Sequence, residues 1–124
     1  MTEPLAILLY EDLLPGSQLT NRLRDLGYRV LTIADPETLL DQVALEKPLL
    51  AVVDLTSSRT DMCAHIGRLK SDPTTAYLPV LAFSGQKDRK LQEAARAVGA
   101  NLVASKEGIL AQLPMLLEQV LQVD

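Results

Sequence analysis

Five polar side chains stand at the ends of short apolar runs, and together they have the chemistry to handle a phosphoryl group. Glu11 and Asp12 follow LAILLY, Asp54 follows LLAVV, Ser84 follows PVLAF, and Lys106 closes NLVASK. If those runs are neighbouring strands of one sheet, three acids, a hydroxyl and an amine converge on one crevice. Acids held that close repel one another, and burying them is costly unless a divalent cation neutralises them. Oxygen-only ligands that leave room for water suit Mg²⁺. Phosphoryl transfer needs a nucleophile, a metal bridging the phosphoryl oxygens and donors for the remaining oxygens. A carboxylate, Mg²⁺ and a Ser/Lys pair supply those parts.

Such residues meet only if the intervening chain is built to bring them together. Leu5–Tyr10, Tyr28–Ile33, Leu49–Val53, Pro79–Phe83 and Asn101–Ala104 are short apolar runs bounded by Gly, Pro, Asp or Ser. The first, third and fourth are almost wholly apolar, the pattern of parallel strands covered on both faces, and are expected at the centre of a sheet. Between the runs lie stretches with helical spacing. Leu19, Leu23 and Leu26 form one stripe, with Gly27 placed to cap it. Asp35-Pro36 opens a second helix carrying Leu39, Leu40 and Val43. Met62, Ile66 and Leu69 form a third stripe ending near Asp72-Pro73, and Leu91, Ala94, Ala95 and Val98 a fourth closed by Gly99. The fifth helix, Gly108–Val123, contains Pro114; a short turn ending near Gln112, followed by a main helix with Pro114 in its first turn, accommodates that proline best.

Strand and helix alternating five times imply an α/β fold, a doubly wound parallel sheet with right-handed crossovers. The expected architecture is flavodoxin-like, five strands in the order 2-1-3-4-5 with five helices, and its ligands bind outside the carboxyl ends of the strands. The 124 residues suit one domain, taken as 1–124, and can bury a core without metal or disulfide staples. A formal charge of −4 argues against direct nucleic-acid binding. Cys63 is the single cysteine, which excludes an internal disulfide and fits a reducing compartment. The N-terminal apolar run ends at Tyr10 with no basic flank, so neither a signal peptide nor a membrane span is expected, and the expected location is cytoplasmic.

On these motifs the sequence resembles the receiver domains of two-component response regulators along nearly its whole length. ILLYED, VVDLT, VLAFSG and GANLVASK carry the resemblance, with Ser84 30 residues and Lys106 52 residues after Asp54. The resemblance implies that Asp54 accepts a phosphoryl group from a histidine kinase or a phosphotransfer protein. It also implies that Glu11, Asp12, Asp54 and the backbone carbonyl of Thr56 hold Mg²⁺, and that Ser84 and Lys106 contact the phosphoryl group. Hydrolysis of the aspartyl phosphate would reset the switch, so the chain is expected to signal rather than to act as an enzyme on a separate substrate. Since 124 residues leave no room for an output domain, the signal is expected to pass to a downstream protein. The fourth and fifth helices are the expected partner face, with Leu91, Ala95, Val98 or Leu116–Val123 as a surface for a homodimer.

Several positions depart from the family pattern. Glu11 stands where Asp is usual, LTSSRTDM after Asp54 lacks the common Pro and Gly, Glu107 follows Lys106 where Pro is usual, and Val103 stands where an aromatic residue is common. These departures motivate a second reading, a degenerate pseudo-receiver that binds partners without a phosphorylation cycle. A flavodoxin-like cofactor binder is disfavoured, because EDLLPGSQ after the first strand puts acids where a bound phosphate would sit. Of the other polar residues, His65 is expected to be solvated on the third helix, and Cys63 to be a small, partly buried residue. Arg22, Arg24 and Arg29 make no dense basic patch, and Lys87 to Lys90 read equally well as a solvated helix start or a partner surface.

Overall fold

A computed structural model describes residues 4–9, 13–33, 35–55, 62–85 and 89–121. Five parallel strands form one sheet: β1 (Leu5–Leu9), β2 (Arg29–Ile33), β3 (Leu50–Asp54), β4 (Val80–Ser84) and β5 (Leu102–Ser105), in the order β2-β1-β3-β4-β5. Every residue of β1, β3 and β4 is buried, whereas β2 and β5, at the two edges, are only partly covered. The three wholly apolar runs are therefore the central strands, as their composition predicts.

Because side chains alternate across a strand, the apolar strands feed two cores at once. Ile7, Leu9, Ala51, Val53, Val80 and Ala82 face α2 (Leu39–Glu46), α3 (Met62–Ser71) and α4 (Arg89–Ala97). Ala6, Leu8, Leu50, Val52, Leu81 and Phe83 face α1 (Leu13–Asp25), α5 (Lys106–Ala111) and α6 (Leu113–Leu121). The expected fifth helix is thus two: Gln112 N–H closes α5 on the Gly108 carbonyl at 2.9 Å, and Pro114 lies in the first turn of α6, where no donor is required.

The helix ends follow their sequence signals closely. Gly27 and Gly99 both have positive φ, 94° and 111°. At the first, Tyr28 N–H donates to Leu23 O at 3.0 Å and Gly27 N–H to Arg24 O at 3.0 Å; at the second, Ala100 N–H donates to Ala95 O at 3.0 Å and Gly99 N–H to Arg96 O at 3.1 Å. Both are paired C-terminal caps of the Schellman type. The two sites differ in room: a Cβ on Gly27 meets nothing within 4 Å, whereas one on Gly99 would lie 2.8 Å from Lys70 Cγ. Before α2, a single 3₁₀ turn (Pro36–Thr38) is capped by Asp35, whose Oδ1 accepts from Glu37 N–H at 3.0 Å.

Three expectations need correction. Leu26 lies in the turn after α1 and is 43% exposed, so the first helical stripe ends at Leu23. His65 is buried rather than solvated. It stands three residues after Met62 and four before Leu69, on the inward side of α3, with Nε2 3.7 Å from Glu37 Oε1. Finally, the apolar residues proposed as a partner face turn to the protein's own core. Ala95, Leu116, Leu117 and Val120 are buried, and Leu91 and Val98 pack against the α2–α4 side. The exposed side of α4 is instead polar, with Arg89, Lys90, Glu93 and Arg96.

At the end of the sheet where β4 and β5 begin, Lys70 acts as a clasp. Its Nζ donates to Leu78 O at 2.6 Å and to Asn101 Oδ1 at 2.7 Å, and that same oxygen accepts from Val80 N–H at 3.0 Å. Partial burial holds the ammonium below its ordinary pKa.

Phe83 is among the largest fully buried side chains. Its replacement by Ala should lower the free energy of unfolding by about 3–5 kcal/mol in urea titrations, while Leu45→Ala, at a position 73% exposed, should stay within about 0.5 kcal/mol. Gly27→Ala should cost roughly 1–2 kcal/mol for its backbone conformation alone, and Gly99→Ala measurably more, because the new methyl meets Lys70.

Candidate functional site

The carboxyl ends of the strands gather the predicted residues in steps. Asp54 is the last residue of β3 and is paired in register with Phe83; Ser84, one residue farther along β4, is paired with Ser105; Lys106 follows one residue later. Asp54, Ser84 and Lys106 therefore climb by one residue per strand across three adjacent strands. From β3 to β5 is two strand spacings, roughly 10 Å, a span that a lysine side chain and a small oxyanion can bridge together.

Burial and bonding set the character of each group. Asp54 is 2% exposed, and its Oδ2 is shut off from solvent. A carboxylate so enclosed is costly without a compensating charge or donors. Ser84 is fully buried; its Oγ donates to Gly85 O at 3.3 Å and accepts from Gln92 Nε2 on α4 at 3.1 Å. Gln92 Nε2 also donates to Gly85 O at 3.2 Å, so one amide group secures both the hydroxyl and the loop that leaves β4. Lys106 begins α5 directly after β5 and is half-buried. Its position is fixed by the N-cap before it: Ser105, in extended conformation, accepts at Oγ from Gly108 N–H at 3.0 Å.

Glu11, Asp12 and Thr56, assigned to the metal by resemblance, lie outside the described residues, as do Lys87 and Asp88 of the fourth-helix cluster. Among the described residues no group of three or more His, Cys, Asp or Glu is placed to hold a metal ion. What those residues offer a cation is the Asp54 carboxylate, a hard oxygen donor that fits a magnesium-type ion. Val103, paired with Ala82, packs against the α2–α4 side and carries neither a ring nor a hydroxyl toward the rim. Also among the described residues, no helix is long and apolar enough to cross a membrane.

No protein-family model matches the chain, and no curated protein matches it. Solved structures do. A candidate response regulator from Chloroflexus aurantiacus superposes with a TM-score of 0.88 at 24% identity, over 97% of this chain and 98% of that one. This chain has the receiver fold. A chemotaxis response regulator of Vibrio cholerae gives 0.83 at 18% identity, over 96% and 99% of the two chains. The receiver domain of a sensor histidine kinase from Pseudomonas aeruginosa, solved with magnesium coordinated in its active-site cleft, gives 0.84 at 18% identity, over 96% and 98%. Within the receiver fold, Asp54, Ser84 and Lys106 occupy the rim where an α/β sheet of this strand order binds its ligands.

Two residues of the site were not foreseen. Ser105 carries a sequence signal, a hydroxyl residue three before Gly108 and two before Glu107, an acid in the first turn. Gln92 carries none, since only the fold brings it eight residues back to Ser84. Replacing Ser105 with Ala should lower stability by about 1 kcal/mol, and Ser105→Asp should restore most of the loss, as read from thermal unfolding.

Proposed function

We propose that the chain is a phosphoacceptor receiver domain of a two-component phosphorelay. The observation that carries this reading is the convergence of Asp54, Ser84 and Lys106 on one rim of a receiver fold. In the proposed reaction, an Asp54 carboxylate oxygen attacks the phosphorus of a phosphohistidine, and the P–N bond of a histidine kinase or phosphotransfer protein breaks as the P–O bond forms. The Lys106 ammonium and Ser84 hydroxyl donate to the phosphoryl oxygens, which carry more negative charge than the carboxylate alone. Hydrolysis of the aspartyl phosphate returns Asp54 to its starting state, so turnover resets a signal and no separate substrate is consumed.

Asp54, with Glu11, Asp12 and the Thr56 carbonyl, is the proposed holder of Mg²⁺, which when bound supplies positive charge beside the incoming phosphoryl oxygens. The proposed setting is cytoplasmic, and the proposed output is contact with a downstream protein or a second copy of the chain. In view of the buried apolar residues of α4 and α6, such contact would use their polar sides. A second reading, the phosphorylation-independent pseudo-receiver, draws on Val103, which leaves the rim without the aromatic group common at that position.

Incubation with acetyl phosphate and Mg²⁺, followed by intact-mass spectrometry, separates the two. The expected result is an adduct of about 80 Da, one phosphoryl group, that chelation of Mg²⁺ abolishes and Asp54→Asn lacks. An adduct on the Asp54→Asn protein would move the acceptor elsewhere. Its absence from the unaltered chain with both acetyl phosphate and a phosphorylated kinase would favour the pseudo-receiver.

A further inference from the structure

Ser84 has one hydroxyl hydrogen, and it is directed to Gly85 O at 3.3 Å, while Gln92 Nε2 donates to the Ser84 oxygen at 3.1 Å and to Gly85 O at 3.2 Å. A hydroxyl held this way can donate to an oxyanion on Asp54 only by turning its hydrogen away from Gly85. Where that turn is made about the Cα–Cβ bond, so that the oxygen itself moves toward Asp54, it also carries the oxygen away from Gln92. The Gln92 amide, half-buried against the sheet, then loses one of its two acceptors. An amide that follows the hydroxyl pulls on α4, and one that lets it go holds α4 to the rim by Gly85 O alone.

The way α4 is held makes it the element free to respond. Of its described residues only Ala95 is fully buried, whereas α3 on the same side buries Met62, Cys63, His65, Ile66 and Leu69. A helix anchored by one methyl group and a few half-buried side chains shifts at much smaller cost than one anchored by five. The neighbouring strand offers no competing relay, because Val103 presents only methyl groups.

From this geometry we infer that Gln92 is the positioning residue through which the state of Ser84 is transmitted to α4. The inference rests on the phosphoacceptor reading for its trigger. The bond itself exists whether or not Asp54 is ever modified. Gln92 is not a catalytic residue: it touches Ser84 and Gly85, not the reacting carboxylate.

Amide hydrogen exchange of the α4 segment tests both levels. In the unmodified chain, Gln92→Met and Ser84→Ala should each speed exchange of the α4 amides by roughly 2- to 12-fold, the equivalent of one net hydrogen bond. The double variant should be no faster than Gln92→Met alone, since that change already removes the bond to Ser84. Additive effects, or none, would overturn the inference. In chains carrying the adduct, compared per modified molecule, exchange of α4 should rise in the unaltered protein and stay unchanged in Gln92→Met. An equal rise in both proteins would overturn Gln92 as the relay while leaving the phosphoacceptor reading intact. An unaltered chain that takes no adduct from acetyl phosphate or a kinase overturns that reading and the relay role with it, even if the unmodified series finds the bond.

Discussion

The three central strands are covered on both faces, and this constraint organises everything else. A strand sandwiched between helices has no solvated side, so each of its positions must be apolar until the chain emerges at an end. β1, β3 and β4 obey this from Leu5 to Leu9, Leu50 to Val53 and Val80 to Phe83. Polar chemistry on these strands is confined to their carboxyl ends, where Asp54 and Ser84 stand, still buried but at the threshold of the loops. The candidate site is shielded from water for the same reason that the sheet is stable. A carboxylate and a hydroxyl are held where water is scarce, and a lysine stands at the junction of β5 and α5 on the same rim.

The helices are not equivalent in how firmly they grip that sheet. α3 and α6 present several large apolar residues each, and α1 is anchored by Leu19 and Leu23. α4 has a strongly two-sided sequence but contributes one wholly buried alanine. Its polar side is therefore wide and its hold slight. The amide of Gln92 adds directional bonds to the rim where apolar contact is sparse, one to the Ser84 hydroxyl and one to the Gly85 carbonyl.

Much of this was legible in the sequence because the physics involved is local and periodic. The apolar runs gave the strands and their central or edge placement, Gly27 and Gly99 marked two helix ends, and Pro114 fixed the start of α6. Spacing along the chain was enough to bring Asp54, Ser84 and Lys106 to one rim. What escaped were features decided by the third dimension. His65 read as solvated because a polar residue at the border of an apolar stripe falls inside once a neighbouring turn, here carrying Glu37, packs over it. The stripes of α4 and α6 read as a surface for partners, although the same periodicity is what any helix needs to face its own core. Gln92 left no trace, since a glutamine on an amphipathic helix gives no hint of which hydroxyl it will meet.

The separation of apolar sheet from polar rim has a historical consequence. Residues that fill the two cores and residues that would carry the chemistry are almost disjoint sets, so exchanging a rim side chain opens no cavity in either core. A lineage built on this scaffold can lose a reactive group and later acquire another while remaining folded at every step. Glu107, exposed in the first turn of α5, stands at a position of this kind.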